Sequence, residues 1–271
     1  MINTKQNFQL TGKVAIITGA SSGIGAATAL AFAKAGAAVV AVGRDAARLG
    51  VVGKEIAATG ASMEAVSVDL TSEAGARVVI EAALARFGRI DAVVHSAGIF
   101  VPSAFVDTTA EELFRQWDVN VRAPFALTQA ALPHLRPGSS VIFVTSTVAR
   151  VGFANTAAYS ASKAAVDAMM RVLAIELSPR GICVNGVAPG WTATPMNVGL
   201  REDPSVVAAA IAATPAGRLA IPEDIAPSIL FLASEASRFV QGVVLDVGGG
   251  YPSLPNVIRS SDAPAAQRSD S

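Results

Sequence analysis

Cysteine and histidine are scarce in this 271-residue chain, which narrows the chemistry it can perform. The single cysteine, Cys183, cannot form an intrachain disulfide, and its apolar neighbours predict an inert thiol in the core. The two histidines, His95 and His134, fall on different predicted elements, and neither stands beside a cluster of cysteines or carboxylates. We therefore predict no metal site.

The sequence also lacks an excess of either charge and a long apolar run. It has 21 Lys and Arg residues against 21 Asp and Glu residues, scattered along the chain, so no basic face indicates nucleic acid or an anionic membrane. No uncharged apolar run reaches the roughly 18 residues that a membrane span needs, and residues 1–10 lack the apolar centre of a signal peptide. We expect a cytoplasmic protein.

Strand-like and helix-like segments alternate along most of the chain, and an apolar content of 52% is sufficient for one large α/β core. Apolar runs predict seven strands, at residues 14–17, 38–43, 63–68, 90–95, 140–145, 182–188 and 240–247. Helical patterns occupy residues 24–34, 45–59, 72–87, 109–135, 156–177 and 223–233, with a kink or break expected at Pro124. The alternation predicts a doubly wound parallel sheet of about seven strands with helices on both faces.

Two segments stand apart from this alternation. Residues 191–222 lack a strand signal and are rich in Ala, Thr and Pro, which predicts a loop with one or two short helices. Residues 252–271 contain no aromatic residue and are mostly polar, which predicts a flexible tail. We interpret residues 1–251 as a single domain.

A glycine-rich turn follows the first predicted strand. It reads Thr18-Gly-Ala-Ser-Ser-Gly-Ile-Gly25 and leads directly into the first predicted helix. Glycine permits positive φ and close approach of a ligand to main-chain N–H groups, while a helix start presents the positive end of its dipole. The turn is therefore a candidate anion site. Its spacing differs from the dinucleotide fingerprint G-x-G-x-x-G, and an ordinary strand-to-helix turn is the alternative.

Small and polar residues follow the other predicted strands, at Asp69, Gly98, Ser146 and Pro189-Gly190. Because the carboxyl ends of parallel strands meet at one edge of a sheet, we expect these residues and Gly19 to line one continuous cleft.

Tyr159 and Lys163 are four residues apart in a predicted helix and therefore share one face. A tyrosine phenolate at neutral pH requires a pKa well below its usual value of about 10, and an ammonium about 4 Å away supplies about 4 kcal/mol toward that change. We expect Tyr159 to exchange a proton with a carbonyl or alcohol oxygen to which Ser146 hydrogen bonds. The alternative is a partly buried aromatic and a solvated base on one helix.

Together these residues resemble the short-chain dehydrogenase/reductase family. Over about residues 8–251 its motifs occur in order: the glycine turn, Asp69, Ala97-Gly98, Asn120, Ser146, Tyr159-x-x-x-Lys163 and Pro189-Gly190. The resemblance implies a Rossmann-type dinucleotide-binding and catalytic domain at residues 1–251, with residues 191–222 as a substrate loop. It also implies a catalytic set of Asn120, Ser146, Tyr159 and Lys163, in which Asn120 positions a water in a proton relay to Lys163.

The resemblance implies cofactor contacts as well. The glycine turn would hold the pyrophosphate, Asp69 and Leu70 the adenine, Lys163 the nicotinamide ribose and Thr194 the carboxamide. The full set is Gly19, Ser21, Ser22, Gly23, Ile24, Gly25, Arg44, Asp69, Leu70, Ala97, Gly98, Tyr159, Lys163, Pro189, Gly190, Thr192 and Thr194. The alternative to a site role is structural for two of these residues. Asn120 would then make a hydrogen bond at a helix kink, and Thr194 would cap a loop.

One segment departs from the family pattern. Many members read Asn-Asn-Ala-Gly after the fourth strand, where this chain has His95-Ser96-Ala97-Gly98. The departure weakens any role for the first two positions. We predict that His95 is a hydrogen-bonded structural residue.

The end of the second predicted strand bears on cofactor choice. An acidic residue there would bind the adenine ribose hydroxyls of NAD and repel the extra phosphate of NADP, whereas this chain has Gly43 and Arg44. A guanidinium can pair with that phosphate, so NADP is favoured. Asp45 turned inward would restore NAD, Ser22 stands where many NADP-using relatives carry a basic residue, and Arg44 as a solvated surface charge is a further alternative.

We interpret the protein as an NADP-preferring alcohol dehydrogenase or ketoreductase acting on a small carbonyl or alcohol substrate. Phe100, Val148, Phe153, Trp191 and Met196 would line an apolar substrate pocket, and Arg150 is expected to be solvated rather than to bind an anionic group. A 3-oxoacyl-carrier-protein reductase is an alternative, although those relatives carry Arg where Ile175 stands. A non-catalytic dinucleotide sensor and an assembly scaffold are the others. The resemblance implies a homotetramer or homodimer.

Overall fold

The computed structural model describes residues 8–251, so the predicted tail at residues 252–271 lies outside the described part. Seven strands form one parallel sheet in the order β3-β2-β1-β4-β5-β6-β7, which confirms the predicted fold class. The strands are β1 (Val14–Thr18), β2 (Ala38–Gly43), β3 (Met63–Ser67), β4 (Ala92–His95), β5 (Ser140–Val144), β6 (Cys183–Pro189) and β7 (Val244–Val247).

Helices cover both faces of the sheet. They are α1 (Gly23–Lys34), α2 (Ala46–Ala57), α3 (Gly75–Phe87), α4 (Ala110–Trp117), α5 (Ala123–Ala131), α6 (Ala157–Leu177), α7 (Val198–Arg201), α8 (Pro204–Ala213) and α9 (Pro222–Ala233). One apolar cluster joins α1, α2 and α9 to the sheet, and a second joins α3, α5 and α6 to the opposite face. This two-sided cover explains why β1, β4, β5 and β6 are buried at every residue and are mostly apolar.

The predicted long helix over residues 109–135 is interrupted before Pro124. A π-helical turn, Asp118–Arg122, separates α4 from α5, so the predicted break is present and lies directly before Pro124. Pro124 has no N–H to donate to the carbonyl of Asn120, four residues before it, and its ring crowds that carbonyl. The distortion therefore appears in the turn that precedes the proline.

The last strand is shorter than predicted and begins at Val244 rather than at residue 240. Before it, the chain is held by side chains: Asn185 Nδ2 donates to the Val240 carbonyl at 2.8 Å, and Asn185 Oδ1 accepts from Val243 N at 3.0 Å. Residues 191–222 contain α7 and α8 and one isolated bridge, Thr192 to Ala220, as their lack of a strand pattern predicts. Within residues 8–251, no helix is long and apolar enough to cross a membrane.

Candidate active site

A cavity of about 530 Å³ lies along the carboxyl edge of the sheet. It is one continuous cleft, and every residue that the sequence places at the site lines it, with the exception of Asn120. The glycine turn after β1 forms one wall, the segments after β2 and β3 one end, and the start of α6 with the segment after β6 the other end. The volume falls in the range of small-molecule and cofactor sites.

The glycine turn is built so that side chains would not fit. A Cβ added to Gly25 would lie 2.3 Å from the Gly19 carbonyl oxygen, and one added to Gly19 would lie 2.9 Å from Ala97 Cα. Gly19 and Gly23 also have positive φ values of 68° and 54°. At the start of α1, Ser22 makes no side-chain cap hydrogen bond. The first amides of α1 are therefore available to an anion in the cleft.

Thr18 connects the glycine turn to the segment after β4. Its hydroxyl oxygen accepts hydrogen bonds from Ser96 N and Ala97 N, both at 3.0 Å, and its hydroxyl donates to the Val94 carbonyl at 3.3 Å. Thr18 is buried, so these bonds are shielded from water. The threonine thus fixes the backbone of Ala97-Gly98 against Gly19, a role that the sequence did not reveal.

Two guanidinium groups and two carboxylates line the end of the cleft beyond β2 and β3. Asp45 is the N-cap of α2: its Oδ1 accepts from Arg48 N at 3.0 Å, and its Oδ2 lies 3.2 Å from Arg48 Nε. Hydrogen bonds from the Thr71 amide and hydroxyl hold the pKa of Asp69 below its ordinary value, and the charge of Arg44 lowers it further. Asp45 thus has a structural partner, and Arg44 is exposed in the cleft.

Ser146, Tyr159 and Lys163 meet at the other end of the cleft. Burial raises the pKa of Tyr159 to about 12, and a side-chain hydrogen bond with Ser146 offsets this only in part. The edge of the Tyr159 ring meets Phe100, with ring centroids 4.9 Å apart. At neutral pH the phenol is therefore protonated and able to donate.

Lys163 lies on the same face of α6 as Tyr159, and its ammonium is held by the backbone of β5. Its Nζ donates to the Val144 carbonyl at 2.9 Å and lies 5.7 Å from the centroid of the Tyr159 ring. Burial lowers the pKa of Lys163 to about 8. The expectation that the lysine charge lowers the tyrosine pKa is wrong for this structure, because burial raises the pKa of Tyr159 instead.

Asn120 lies behind the cleft wall, in the π-helical turn, and is buried. Its side-chain oxygen accepts from Ile99 N at 2.9 Å, and its amide donates to the Ile99 carbonyl and to Ser162 Oγ, both at 3.0 Å. The side chain therefore links α4–α5 to the segment after β4 and to α6. A Cβ on Gly98 would lie 3.2 Å from Asn120 Oδ1 and 3.5 Å from Lys163 Nζ, so a side chain there would crowd the Asn120 amide.

His95 is a buried structural residue, as its sequence context predicts. Its Nε2 is 2.8 Å from Thr128 Oγ1, and its ring stacks on Phe143 with centroids 4.7 Å apart. Burial lowers the pKa of His95 to about 3, so the ring is neutral.

Aromatic and aliphatic side chains line the cleft around Tyr159: Phe100, Val148, Phe153, Trp191 and Met196. Phe153 and Trp191 pack edge to face with centroids 5.5 Å apart. Arg150 is exposed, as predicted, and also pairs with Asp246. Arg201 is engaged by Asn197 Oδ1 at 3.1 Å and by the Thr194 carbonyl at 3.0 Å. Thr194 itself lies where a Cβ on Gly23 would touch it, which places it across the cleft from the glycine turn.

Sequence reasoning missed Arg48 and the buried carboxylate Asp167. Arg48 lines the cleft beside Arg44, although its position in the first turn of α2 carries no recognisable motif. Asp167 lies one helical turn beyond Lys163 on the buried face of α6, and that spacing is visible in the sequence.

Residues 19–252 match the model of a family described as Enoyl-(Acyl carrier protein) reductase. The chain is 42% identical over 250 residues to an uncharacterized oxidoreductase of Methylorubrum extorquens, covering 89% of this chain and 98% of that protein. It is 37% identical over 245 residues to the 3-oxoacyl-[acyl-carrier-protein] reductase of Thermotoga maritima, covering 90% and 99%. A Beutenbergia cavernae dehydrogenase, provisionally assigned as an NAD(P)-dependent gluconate 5-dehydrogenase and solved with NADP at low occupancy, shares 39% identity. It superimposes with a TM-score of 0.86 over 92% of this chain and 100% of that one.

Proposed function

The chain belongs to the short-chain dehydrogenase/reductase family, and from this we propose that it reduces an uncharged, apolar ketone with NADPH or oxidises the corresponding secondary alcohol. The observation that carries the proposal is the meeting of a half-buried, protonated Tyr159 with Ser146 and Lys163 in one cleft with a glycine turn in which a Cβ on Gly19 or Gly25 would clash with backbone. A protein that only binds a dinucleotide has no need of that group of side chains.

The cleft has the features that a dinucleotide requires. The amides at the start of α1 and the bare backbone of the glycine turn would hold the pyrophosphate. Asp69 and Leu70 would contact the adenine, and Lys163 and Thr194 would hold the nicotinamide end. When bound there, the nicotinamide supplies or accepts a hydride.

In the proposed reaction, Tyr159 transfers the proton and Ser146 stabilises the oxygen that receives it. In the reducing direction, the Tyr159 hydroxyl donates its proton to the carbonyl oxygen as the carbonyl carbon gains the hydride, which gives a neutral alcohol. The Ser146 hydroxyl hydrogen bonds that oxygen and stabilises the negative charge that develops on it. A tyrosine pKa of about 12 keeps the donor protonated at neutral pH, as reduction requires.

The π-helical turn supports a proton relay behind Lys163. Asn120 has its side chain fully engaged, and Pro124, four residues further on, has no N–H to offer to its carbonyl. We propose that this carbonyl holds a water that returns a proton toward Lys163 and then to Tyr159. The role therefore falls on the backbone of Asn120, with the side chain keeping the turn in place.

The substrate end of the cleft favours an uncharged ketone. Within residues 8–251, the charged side chains that line the cleft are Lys163 and four at the adenine end. The nearby cations Arg150 and Arg201 are held by Asp246 and by Asn197 with the Thr194 carbonyl. An anionic group would thus enter without a free partner, which costs free energy.

We expect NADPH oxidation with cyclic and aromatic ketones, measured against a panel that contains a matched pair. Ethyl 4-oxocyclohexanecarboxylate should have a kcat/KM at least about tenfold above that of the free carboxylate, because the carboxylate must be buried unpaired. Equal or reversed values would contradict the neutral pocket. NADPH binding without turnover on any member of the panel would favour the dinucleotide sensor.

Arg44 and Arg48 support a preference for NADPH. Arg44→Ala should lower kcat/KM for NADPH about tenfold to a hundredfold and leave NADH nearly unchanged, because it removes a charge-assisted bond to the extra phosphate. Asp45→Asn keeps a side chain able to cap α2 and should raise the NADPH preference. Arg77→Ala, on the surface of α3, is the control. An unchanged cofactor ratio in Arg44→Ala would remove Arg44 from the site.

Carrier-protein-bound 3-oxoacyl chains are the second candidate, because the Thermotoga maritima reductase is similar along the whole domain. Ile175 is 76% exposed where those relatives carry an arginine, so an acidic carrier protein would meet an apolar surface. Faster turnover of a 3-oxoacyl carrier-protein thioester than of free ketones would favour this candidate.

We also propose a symmetric dimer or tetramer assembled through α4, α5 and α6. Large apolar side chains are exposed on these helices: Phe114, Phe125, Val172 and Ile175. Exposed apolar patches of this kind are typical of subunit interfaces. Light scattering should give two or four times the mass of the chain, and a monomer would contradict the proposal.

A further inference from the structure

Asp167 is a buried carboxylate to which the reaction described above gives no role. It is 3% exposed and lies on α6, one helical turn beyond Lys163. Its Oδ1 has no hydrogen-bond partner within the described residues. A buried carboxylate with an unsatisfied oxygen is destabilising, so its presence beside a catalytic lysine calls for an explanation.

The other carboxylate contacts lead toward the active site. The Thr145 hydroxyl donates to the Val187 carbonyl at 3.4 Å and also lies close enough to Asp167 to lower the pKa of its carboxyl group. Thr145 directly precedes Ser146. Asp167 is therefore joined to the strand end that carries the serine.

Three positive charges face Asp167 from two segments. Lys163 and Arg171 lie on its own helix, and Arg150 lies on the segment after β5, where Asp246 also pairs with it. Burial raises the pKa of Asp167, while the Thr145 hydrogen bond and these three cations oppose that rise. Arg150 is shared with Asp246 and Arg171 is exposed, so Lys163 is the fully buried cation in this set.

Lys163 depends on Asp167 in return. Its ammonium is buried against the Val144 carbonyl, and burial favours loss of its proton. The charge that opposes this loss belongs to Asp167. Tyr159 and the bound nicotinamide ribose both require a positively charged Lys163 in the proposed reaction.

We infer that Asp167 is a positioning residue that keeps Lys163 charged from one helical turn away and, through Thr145, fixes the strand end that carries Ser146. The expected effect of Asp167 on turnover rests on the proposed function. The coupling between the charges of Asp167 and Lys163, in contrast, is a property of the cofactor-free protein. It can therefore be tested with and without activity.

The first test needs no mutation at Asp167. The chain has five lysines, so NMR of protein labelled on the lysine side chains gives few signals, and a Lys163→Arg variant assigns that of Lys163. We expect the Lys163 signal to titrate near pH 8 and to show a second, smaller step at acid pH, above the ordinary 3.8 of an aspartate. A Lys163 signal without the acid step would overturn the inference.

The second test removes the charge. In Asp167→Asn, the Lys163 pKa should fall below that of the native protein. The alkaline limb of kcat/KM should move to lower pH by the same amount, with severalfold lower turnover at neutral pH. Asp167→Glu should restore the native profile. Glu176→Gln removes an exposed carboxylate from the same helix and is the control. It should leave the Lys163 pKa and the pH profile of kcat/KM unchanged.

The outcomes separate the two proposals. A purely structural role would lower the melting temperature of Asp167→Asn without moving the lysine pKa or the pH profile, and that result would overturn the inference alone. Absence of turnover in the native protein would instead contradict the proposed function, while the NMR titration would still test the coupling. If Asp167→Asn does not fold, the inference is tested by the acid step in the NMR titration of Lys163 in the native protein.

Discussion

Tyr159→Phe is expected to lower kcat for ketone reduction by about 100-fold to 10,000-fold, the range that a positioned general acid contributes. The phenylalanine keeps the contact with Phe100 and fills the same space, so only the proton donor is lost. Cofactor affinity should stay within a few-fold of the native value, because the glycine turn and the adenine end are untouched. Steady-state kinetics and a cofactor titration measure the two effects separately.

Tyr251→Phe is the matched control, since the chain has two tyrosines. It removes the other phenol that lines the cleft, and turnover should stay within a few-fold of native, because the proposed proton donor is Tyr159. The pH dependence adds a second check. The tyrosine pKa of about 12 and the lysine pKa of about 8 predict that reduction is constant around neutral pH and falls as pH rises past the lysine. A Tyr159→Phe enzyme with near-native kcat would show that the proton comes from elsewhere.

Gly25→Ala is expected to abolish measurable NADPH binding and to lower the free energy of unfolding by about 1–3 kcal/mol, the usual cost of forcing an extra group into a packed site. The new Cβ would lie 2.3 Å from the Gly19 carbonyl oxygen and 2.6 Å from its carbon. Both atoms are backbone, so the turn itself must move, and the start of α1 would no longer face the cleft. Calorimetric titration with NADPH and thermal unfolding give the two numbers.

Gly50→Ala provides the comparison for stability. Gly50 lies inside α2 with nothing within 4 Å of an added Cβ. Alanine there should stabilise the protein by about 0.5–1 kcal/mol, because glycine is a poor helix residue. Native NADPH affinity in Gly25→Ala would mean that the glycine turn does not hold the pyrophosphate.

The fold follows from the sequence because its main signals are local. Mostly apolar segments identify the central strands, which are buried on both faces, and all seven strands occur in the segments that were predicted as strands. Two boundaries of helices or strands differ from the prediction, because the contact that sets each of them involves a residue elsewhere in the chain. Pro124 distorts the turn before it, at Asp118–Arg122, because the missing hydrogen bond belongs to a carbonyl four residues earlier. The start of β7 is set by Asn185 on a neighbouring strand, which no local pattern reveals.

The site was predictable as far as strand ends and helix faces determine it. Tyr159, Lys163 and Ser146 do meet in one cleft with the glycine turn. The protonation of these groups was not predictable, because burial outweighs the lysine charge that sequence spacing suggests. The hydroxyl of Thr18 and the carboxylate of Asp167 act through contacts with other strands and loops, so their importance became visible only with the fold.

The most direct test of the account is to follow the hydride itself. Native protein would be incubated with NADPH deuterated at the transferring carbon and with the best uncharged ketone of the panel, and the product would be examined by mass spectrometry and NMR. We predict one deuterium on the carbinol carbon, with the hydroxyl proton drawn from solvent through Tyr159. Alcohol formed without deuterium at that carbon, or NADPH bound without any alcohol formed, would contradict the proposed reaction.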